Sequence, residues 1–381
     1  MAVFLQNFLR LFSSDVVSVY SANQQQDPDW VMEGTMKERT MRRLVAAGMA
    51  LAGTAILGAG FVAAEKTAGR AQRSFVFTYQ VHVPPAPAGP GQSHLWIPLP
   101  QSDEHQSIGK LAIEGRVAHK IGKESEYGNS YAVFTPGQTE AAEGYDVALR
   151  FEVTRREYMR ELRSAGSQAS PTKDAMLRRY LQPDKMVPLN ATIAELARAQ
   201  TEGVATPLER AHKIYNYVAS TMRYDKSGEG WGRGDEMWAC DSKRGNCTDF
   251  HSVLIGMMRS SGIPARFEIG FPIPSGKAEG DIPGYHCWAE FYLDGIGWVP
   301  VDASEASKNP AKRDYFFGAV DADRVRFTYG RDIRLSAEQK GDPLNFFVYP
   351  YAEADGKPMK DLKTHFAFRE LAPPGAASSG N

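Results

Sequence analysis

Three residues of this chain have the types and the order that nucleophilic chemistry needs: a cysteine, then a histidine, then an aspartate. Cys247 stands in Gly245-Asn246-Cys247-Thr248-Asp249, a turn signal that runs into Phe250, Val253, Leu254, Met257 and Met258 at helical spacing, with Gly262 and Pro264 as the stop. A thiol in the first turn of a helix meets free backbone N–H groups and the positive end of the helix dipole, which favour the thiolate. The same N–H groups suit an oxyanion. Taken alone, a cysteine in that place is more often a small packed residue, so the reading depends on its partners.

The partners come next in the sequence. Gly284-Tyr285-His286-Cys287-Trp288-Ala289-Glu290-Phe291-Tyr292-Leu293 predicts a strand, Asp294-Gly295-Ile296-Gly297 a turn, and Trp298-Val299-Pro300-Val301-Asp302 the returning strand. Period two places His286, Trp288, Glu290 and Tyr292 on one face, and Trp298, Pro300 and Asp302 on one face of the second strand. With the hairpin turning about Asp294, His286 falls opposite Asp302, a separation of about 4.5–5.5 Å between Cβ atoms. A carboxylate there would orient the imidazole and stabilise its charged form. Tyr285, Trp288, Tyr292 and Trp298 are candidates to line a substrate groove or to pack the sheet.

These segments, GNCTDFHSVLIGMMRSSGIPAR followed by GYHCWAEFYLDGIGWVPVDAS, resemble the cysteine, histidine and aspartate motifs of the transglutaminase-like superfamily. The resemblance covers residues 190–335 and is strongest over 245–302. It implies an α+β fold of the papain-related kind, with the cysteine helix packed on an antiparallel sheet that carries the histidine and the aspartate. It implies Cys247 as nucleophile, His286 as base and Asp302 as orienting acid. The family usually adds a side-chain donor to the oxyanion hole from upstream of the cysteine; Trp238 and Tyr224 are the candidates, beside the backbone N–H of Cys247. Animal transglutaminases depend on calcium, but this chain has no EF-hand-type loop, Asp321-Ala322-Asp323 being too short, so no metal and no cofactor is expected.

The reaction class stays open at this point. Hydrolysis by a protease or amidase and transamidation of protein glutamine both pass through a thioester, and hydrolysis is favoured. A zinc site is a second reading, with Cys247 and His251 four apart on one helix and Cys240, His286 and Cys287 as further ligands. It is weakened because His286 and Cys287, adjacent on a strand, point to opposite faces. A non-catalytic binding domain on the same fold is a third. The expected partner is a protein or peptide substrate. The formal net charge of -1 over 381 residues gives no basis for nucleic-acid binding.

The elements that must position these residues follow from the rest of the chain. Phe75, Phe77, Tyr79, Val81 and Val83 alternate with smaller or polar residues, and similar alternation recurs near residues 95–99, 131–133 and 147–153, so residues 73–160 read as a β-rich, sandwich-like domain. A charged stretch at 155–185 links it to residues 190–335, the catalytic domain. There one helix spans 190–201 and a second opens at Thr206-Pro207-Leu208-Glu209, a capping-box pattern with proline in the first turn. Residues 336–381 are a C-terminal extension ending in a disordered tail.

Residues 44–64 are uncharged and follow Arg42 and Arg43, which predicts a membrane anchor or signal peptide and an exported protein. A start at Met36 or Met41 makes this run a cleavable signal; a start at Met1 makes it an anchor, preceded by the segment 1–43. Three cysteines leave one thiol free if Cys240 and Cys287 pair in an oxidising compartment, where Cys287, facing away from His286, would brace the back of the site.

Overall fold

Large apolar side chains at every second position put strand Gln72–Val83 at the centre of the first sheet, with Phe75, Phe77, Tyr79, Val81 and Val83 buried. The computed structural model describes residues 71–86, 93–162 and 174–371. The segments 1–43 and 44–64 and the tail 372–381 lie outside the described residues. Among the described residues no helix is long and apolar enough to cross a membrane.

Strand Gln72–Val83 pairs antiparallel with Tyr145–Arg156 on one side and with Lys363–Glu370 on the other. Gln106–Gly115 and Glu279–Asp281 complete a five-stranded sheet. A second five-stranded sheet pairs Ser93–Leu99 with Ser130–Phe134 and with Tyr351–Ala354. Apolar side chains of both sheets enter one core. The strands from 351–354 and 363–370 fill places inside the two N-terminal sheets, so the residues expected as a C-terminal extension are built into the same body as residues 73–160. The described residues form a single unit.

The third sheet has four antiparallel strands in the order Gly297–Val301, His286–Leu293, Ala265–Pro272, Arg324–Tyr329. Its aromatic side chains weld it to the first sheet. Phe271 lies 5.3 Å from Phe77, 6.2 Å from Tyr79 and 4.5 Å from Phe366 between ring centroids, and Phe327 lies 5.6 Å from Phe77. Such pairs contribute about 0.5–1.5 kcal/mol each beyond the burial of their area. The outer strand, Arg324–Tyr329, is covered by two side-chain amides. Gln106 donates to the Arg326 carbonyl and accepts from the Arg326 N–H, both at 2.9 Å. Asn129 makes the same two bonds with Tyr329 at 2.8 Å. Each amide imitates a neighbouring strand and closes an edge that would otherwise present unpaired backbone groups.

Helix Cys247–Ser260 packs against the third sheet on one side and against helices Ala191–Thr201, Pro207–Thr221 and Glu236–Ser242 on the others. Residues Cys247 to Arg259 are all buried, which explains an apolar run with no wide polar face. The predicted capping box is present: Thr206 Oγ1 accepts from the Glu209 N–H at 3.2 Å, and Glu209 returns a bond to the Thr206 N–H.

A candidate cysteine–histidine–aspartate active site

Asn246 and Asp249 fix where helix Cys247–Ser260 begins. The Asn246 side chain accepts from the Thr248 N–H at 2.9 Å, and its carbonyl accepts from Asp249 and Phe250 at 3.1 Å. Cys247 therefore holds the one first-turn N–H that Asn246 does not take. Asp249 returns the bond from Oδ2 to the Asn246 N–H at 2.9 Å and also accepts from Gly232 and Gly234 at 2.7 and 2.9 Å. Three backbone donors on one carboxylate pin the glycine-rich loop to the helix start. Gly245 has φ +145°, and a Cβ there would lie 2.3 Å from the Asp249 carboxylate, so only glycine fits.

The hairpin supplies the other two residues, with a register that differs from the expected one. Ala289 pairs with Val301, Glu290 with Pro300 and Leu293 with Gly297, leaving a three-residue turn, 294–296. On that register the residue across from Asp302 is Trp288, and His286 reaches Asp302 diagonally. The shared face was legible from the two-residue period; the direct pairing was displaced two residues because Gly297, at φ +91°, ends the turn one residue later than a turn about Asp294 requires. His286 Nε2 lies 2.7 Å from Asp302 Oδ2.

Asp302 is the N-cap of helix Ala303–Lys308. Its Oδ1 accepts from the Glu305 N–H at 3.0 Å and the Ser304 hydroxyl at 2.9 Å, and its Oδ2 accepts from His286 and from Arg324 Nη1 at 3.0 Å. Burial alone would raise this carboxyl, but the His286 charge and hydrogen bond, then Arg324, hold it well below the usual carboxylate range. For His286, burial favours the neutral ring and is outweighed by Asp302 and then Cys247, which bring the imidazole up to about 10. For Cys247, burial favours the thiol and is outweighed by the Cys287 thiol, by the His286 hydrogen bond and charge, and by the Cys287 N–H, which hold it well below its ordinary value. Since Nε2 serves Asp302, Nδ1 is the nitrogen left for the sulfur. The arrangement can hold a thiolate–imidazolium pair. Cys247 is 2%, His286 6% and Asp302 0% exposed, so the pair is buried.

Of the remaining sequence candidates, Tyr224 is brought to the site: its phenol is pushed up by burial and then by the charges of Cys247 and Cys287. Trp238 packs instead under Arg244, 5.3 Å from the guanidinium, and beside Gly230. Trp288 is fully buried beneath Arg324, which lies 4.9 Å from its ring, so it lines no open groove. Trp298 packs on Arg266 at 4.1 Å, with Tyr292 5.5 Å from it. Tyr285 does reach the site and accepts from Asn246 Nδ2 at 2.9 Å.

The three cysteines are free, so no disulfide joins Cys240 to Cys287. Cys287 points, as its parity requires, to the sheet face opposite Trp288. That is the face on which helix Cys247–Ser260 packs, where Cys287 Sγ meets His251 of that helix. The expected brace behind the site thus lies against the helix that begins at Cys247. His251 also has a defined place. Nδ1 lies 2.8 Å from the Cys247 carbonyl and 3.7 Å from Cys287 Sγ, and Nε2 accepts from the Ala303 N–H at 3.2 Å. Both nitrogens are used, which removes His251 from any zinc site. Glu305, His286 and Asp302 present ligand atoms within 4.8 Å of one another. Arg324 already sits on Asp302 and Lys308 on Glu305, so this cluster has its counter-charges from the protein.

Residues 194–303, which include the cysteine helix, the hairpin and Asp302, match the sequence model of the transglutaminase-like superfamily. The chain carries a transglutaminase-like core. An uncharacterized protein of Haemophilus influenzae is 28% identical over 339 residues, 78% of this chain and 91% of its own length. Bacillus subtilis YebA, also uncharacterized, is 27% identical over 149 residues, 35% of this chain and 20% of its own length. A solved structure from Cytophaga hutchinsonii, described as a candidate cysteine protease, superposes with a TM-score of 0.55 over 80% of this chain and 92% of that one, at 13% identity. The fold shared with that structure therefore extends well beyond residues 194–303.

Proposed function

We propose that this transglutaminase-like protein is a cysteine-dependent acyl-transfer enzyme that opens peptide or amide bonds through a thioester at Cys247 and resolves it with water. The observation that carries the reading is the His286 imidazole held 2.7 Å from Asp302, whose hydrogen bond and charge help to hold the Cys247 thiol well below its ordinary value. The thiolate attacks the substrate carbonyl, and the oxyanion is met by the Cys247 N–H and the Tyr224 hydroxyl. His286 then gives its proton to the departing amine, leaving the thioester. In the second half the neutral imidazole takes a proton from water, the hydroxide displaces the thiolate, and the acid leaves. Asp302 holds the ring and stabilises its cation without taking the proton.

Water is favoured over an amine acceptor because of Lys308. Its ammonium lies 4.7 Å from the Tyr224 ring and pairs with Glu305, whose carboxylate is 3.7 Å from His286. A protonated lysine side chain approaching the thioester meets that charge; water does not. The test is a peptide and protein substrate panel, with and without cadaverine. Hydrolysed product should dominate in both, and Cys247→Ala should give none. An amine adduct dominating in water would move the reading to glutamine transamidation. Undiminished turnover by Cys247→Ala would reject the triad, and an unreactive Cys247 thiol would favour a binding domain on this fold.

A further inference from the structure

The triad leaves a buried histidine at the site without a task. His251 is fully buried, one turn into the cysteine helix, and its ring meets three elements. Nδ1 lies 2.8 Å from the Cys247 carbonyl and 3.7 Å from Cys287 Sγ, and Nε2 accepts from the Ala303 N–H at 3.2 Å. Each contact falls on a triad residue or on the residue just after one: Cys247 itself, Cys287 after His286, and Ala303 after Asp302.

The hydrogen bonds fix the state of the ring. Nε2 accepts and so carries no proton, which makes Nδ1 the N–H that donates to the Cys247 carbonyl. Nε2 is also 3.7 Å from Asp302 Oδ1. An imidazolium here would lose the Ala303 bond and turn a second N–H toward the carboxylate that His286 needs. The titratable groups that face the ring are Cys247 on its own helix, Cys287 on the strand, Asp302 at the start of the next helix and, beyond Asp302, His286. Burial outweighs the pull of Asp302 and Cys247 and favours the neutral ring.

We propose that His251 is a positioning residue for the acyl-transfer reaction: as a neutral Nδ1–H tautomer it clamps the nucleophile's turn of helix to the peptide that follows Asp302, and so sets Cys247 against the His286–Asp302 pair. Asp302 caps its own helix through the Glu305 N–H, and His251 takes the Ala303 N–H two residues earlier. With both donors taken, that helix start has one place to sit. Without the ring, the N–H of fully buried Ala303 loses its partner, and the turn shifts to find another. The Asp302 carboxylate moves with that turn, and its hold on the His286 cation weakens. A misplacement of about 1 Å can cost on the order of 10²-fold in rate.

The inference rests on the proposed function, and the experiment separates the two. Wild-type protein is labelled with limiting iodoacetamide across a pH series and mapped. Preference for Cys247 over Cys240 and Cys287 below neutrality establishes the nucleophile; its absence overturns both readings. Asparagine at position 251 places an amide N–H near Nδ1 but is too short for Ala303, whereas glutamine places its carbonyl oxygen near Nε2 and can accept from Ala303. His251→Asn should move the Cys247 labelling midpoint up by about one pH unit, which slows labelling below the midpoint about tenfold. His251→Gln should recover most of that loss. A histidine that only supports the fold would lower the unfolding temperature and leave the labelling midpoint of the folded protein in place. That result in His251→Asn overturns the positioning role and leaves the triad standing. Where neither variant folds, nitrogen-15 NMR of histidine-labelled wild-type protein decides. The expected ring has an unprotonated Nε2 coupled to the Ala303 amide and a protonated Nδ1, unchanged through neutrality. A proton on Nε2 there, in either the other tautomer or the imidazolium, overturns the proposal.

Discussion

Arg324 and His286 donate to the same oxygen, Asp302 Oδ2, at 3.0 and 2.7 Å. Arg324 also holds Asp321 through Nε and Nη2, at 3.1 and 3.2 Å, and lies over Trp288. Arg324, Asp302, His286 and Trp288 are buried, and Asp321 is half-buried. Removing the guanidinium leaves Asp302 with one cation instead of two and leaves Asp321 unpaired. Loss of one partner from a buried ion pair costs about 3–5 kcal/mol. Arg324→Met is expected to lose stability in that range by urea denaturation. Arg324→Lys is expected to recover only part, because an ammonium cannot bridge both carboxylates while lying on the indole. A loss below about 1 kcal/mol, the range of an exposed pair, would show that Arg324 is not what holds Asp302 in place.

The thiolate–imidazolium pair has a definite pH signature. Cys247 is held well below its ordinary value, so iodoacetamide should alkylate it rapidly even below neutral pH, where an ordinary thiol of pKa ~8.5 is almost wholly protonated. His286 stays charged until about 10, so the pair persists through neutrality and is lost only in alkali. Asp302→Asn removes the charge that raises His286. The imidazolium then discharges at a lower pH, and the Cys247 titration should move upward, with slower labelling near pH 6. An unchanged labelling profile in Asp302→Asn would show that Asp302 does not act on the thiol through His286.

The sequence carried the site further than it carried the body around it. Cys247, His286 and Asp302 were legible because each sits at an element boundary with a local signal: a helix start, the beginning of a strand, and the end of its hairpin partner. Residues that act across long separations had no such signal. Arg324 lies in a strand of ordinary composition, and nothing near it in sequence marks its bond to Asp302. Asp249 stands three residues after Asn246, the spacing of a capping box, so its return bond was readable; its hold on Gly232 and Gly234 was not. Parity put Cys287 on the correct face, but which face the cysteine helix would cover depends on how helix and sheet pack. The same limit hid the strands at 351–354 and 363–370, whose partners lie hundreds of residues earlier.

Residues 44–64 contain no charged side chain and follow Arg42 and Arg43, a pattern suited to translocation with the arginines kept inside. A reporter that works only outside the cytoplasm, fused after Ala71, should be active, and a cytoplasmic reporter at the same point silent. Replacing two central residues of the run by arginine should reverse both results, since a charge near the centre of a spanning helix costs about 2.5–3.5 kcal/mol. Cytoplasmic reporter activity in the unaltered fusion would refute export.

Glu236 gives the fold a pH dependence separate from the triad. It is fully buried on helix Glu236–Ser242 against Gly256 of the cysteine helix, where a Cβ would lie 1.5 Å from its carboxylate. Neither oxygen makes a hydrogen bond of ordinary geometry. Burial pushes the carboxyl up to about 8, against the weaker pull of the Leu189 N–H, Arg259 and Arg331. In the unfolded chain a glutamate titrates near ~4.3. Between those values the folded protein binds more protons than the unfolded one, so stability falls as pH rises through that window, with a limiting slope of about 1.4 kcal/mol per pH unit. Glu236→Gln keeps the shape and removes the ionisation. It should flatten the decline between pH 5 and 8 and leave the variant more stable than wild type at pH 8 by urea denaturation. Because Gly256 belongs to the helix that starts at Cys247, the wild-type protein should also label less selectively at Cys247 above pH 8, and the glutamine variant should not. Equal slopes of stability against pH in the two proteins would mean that Glu236 is already ionised in the native state.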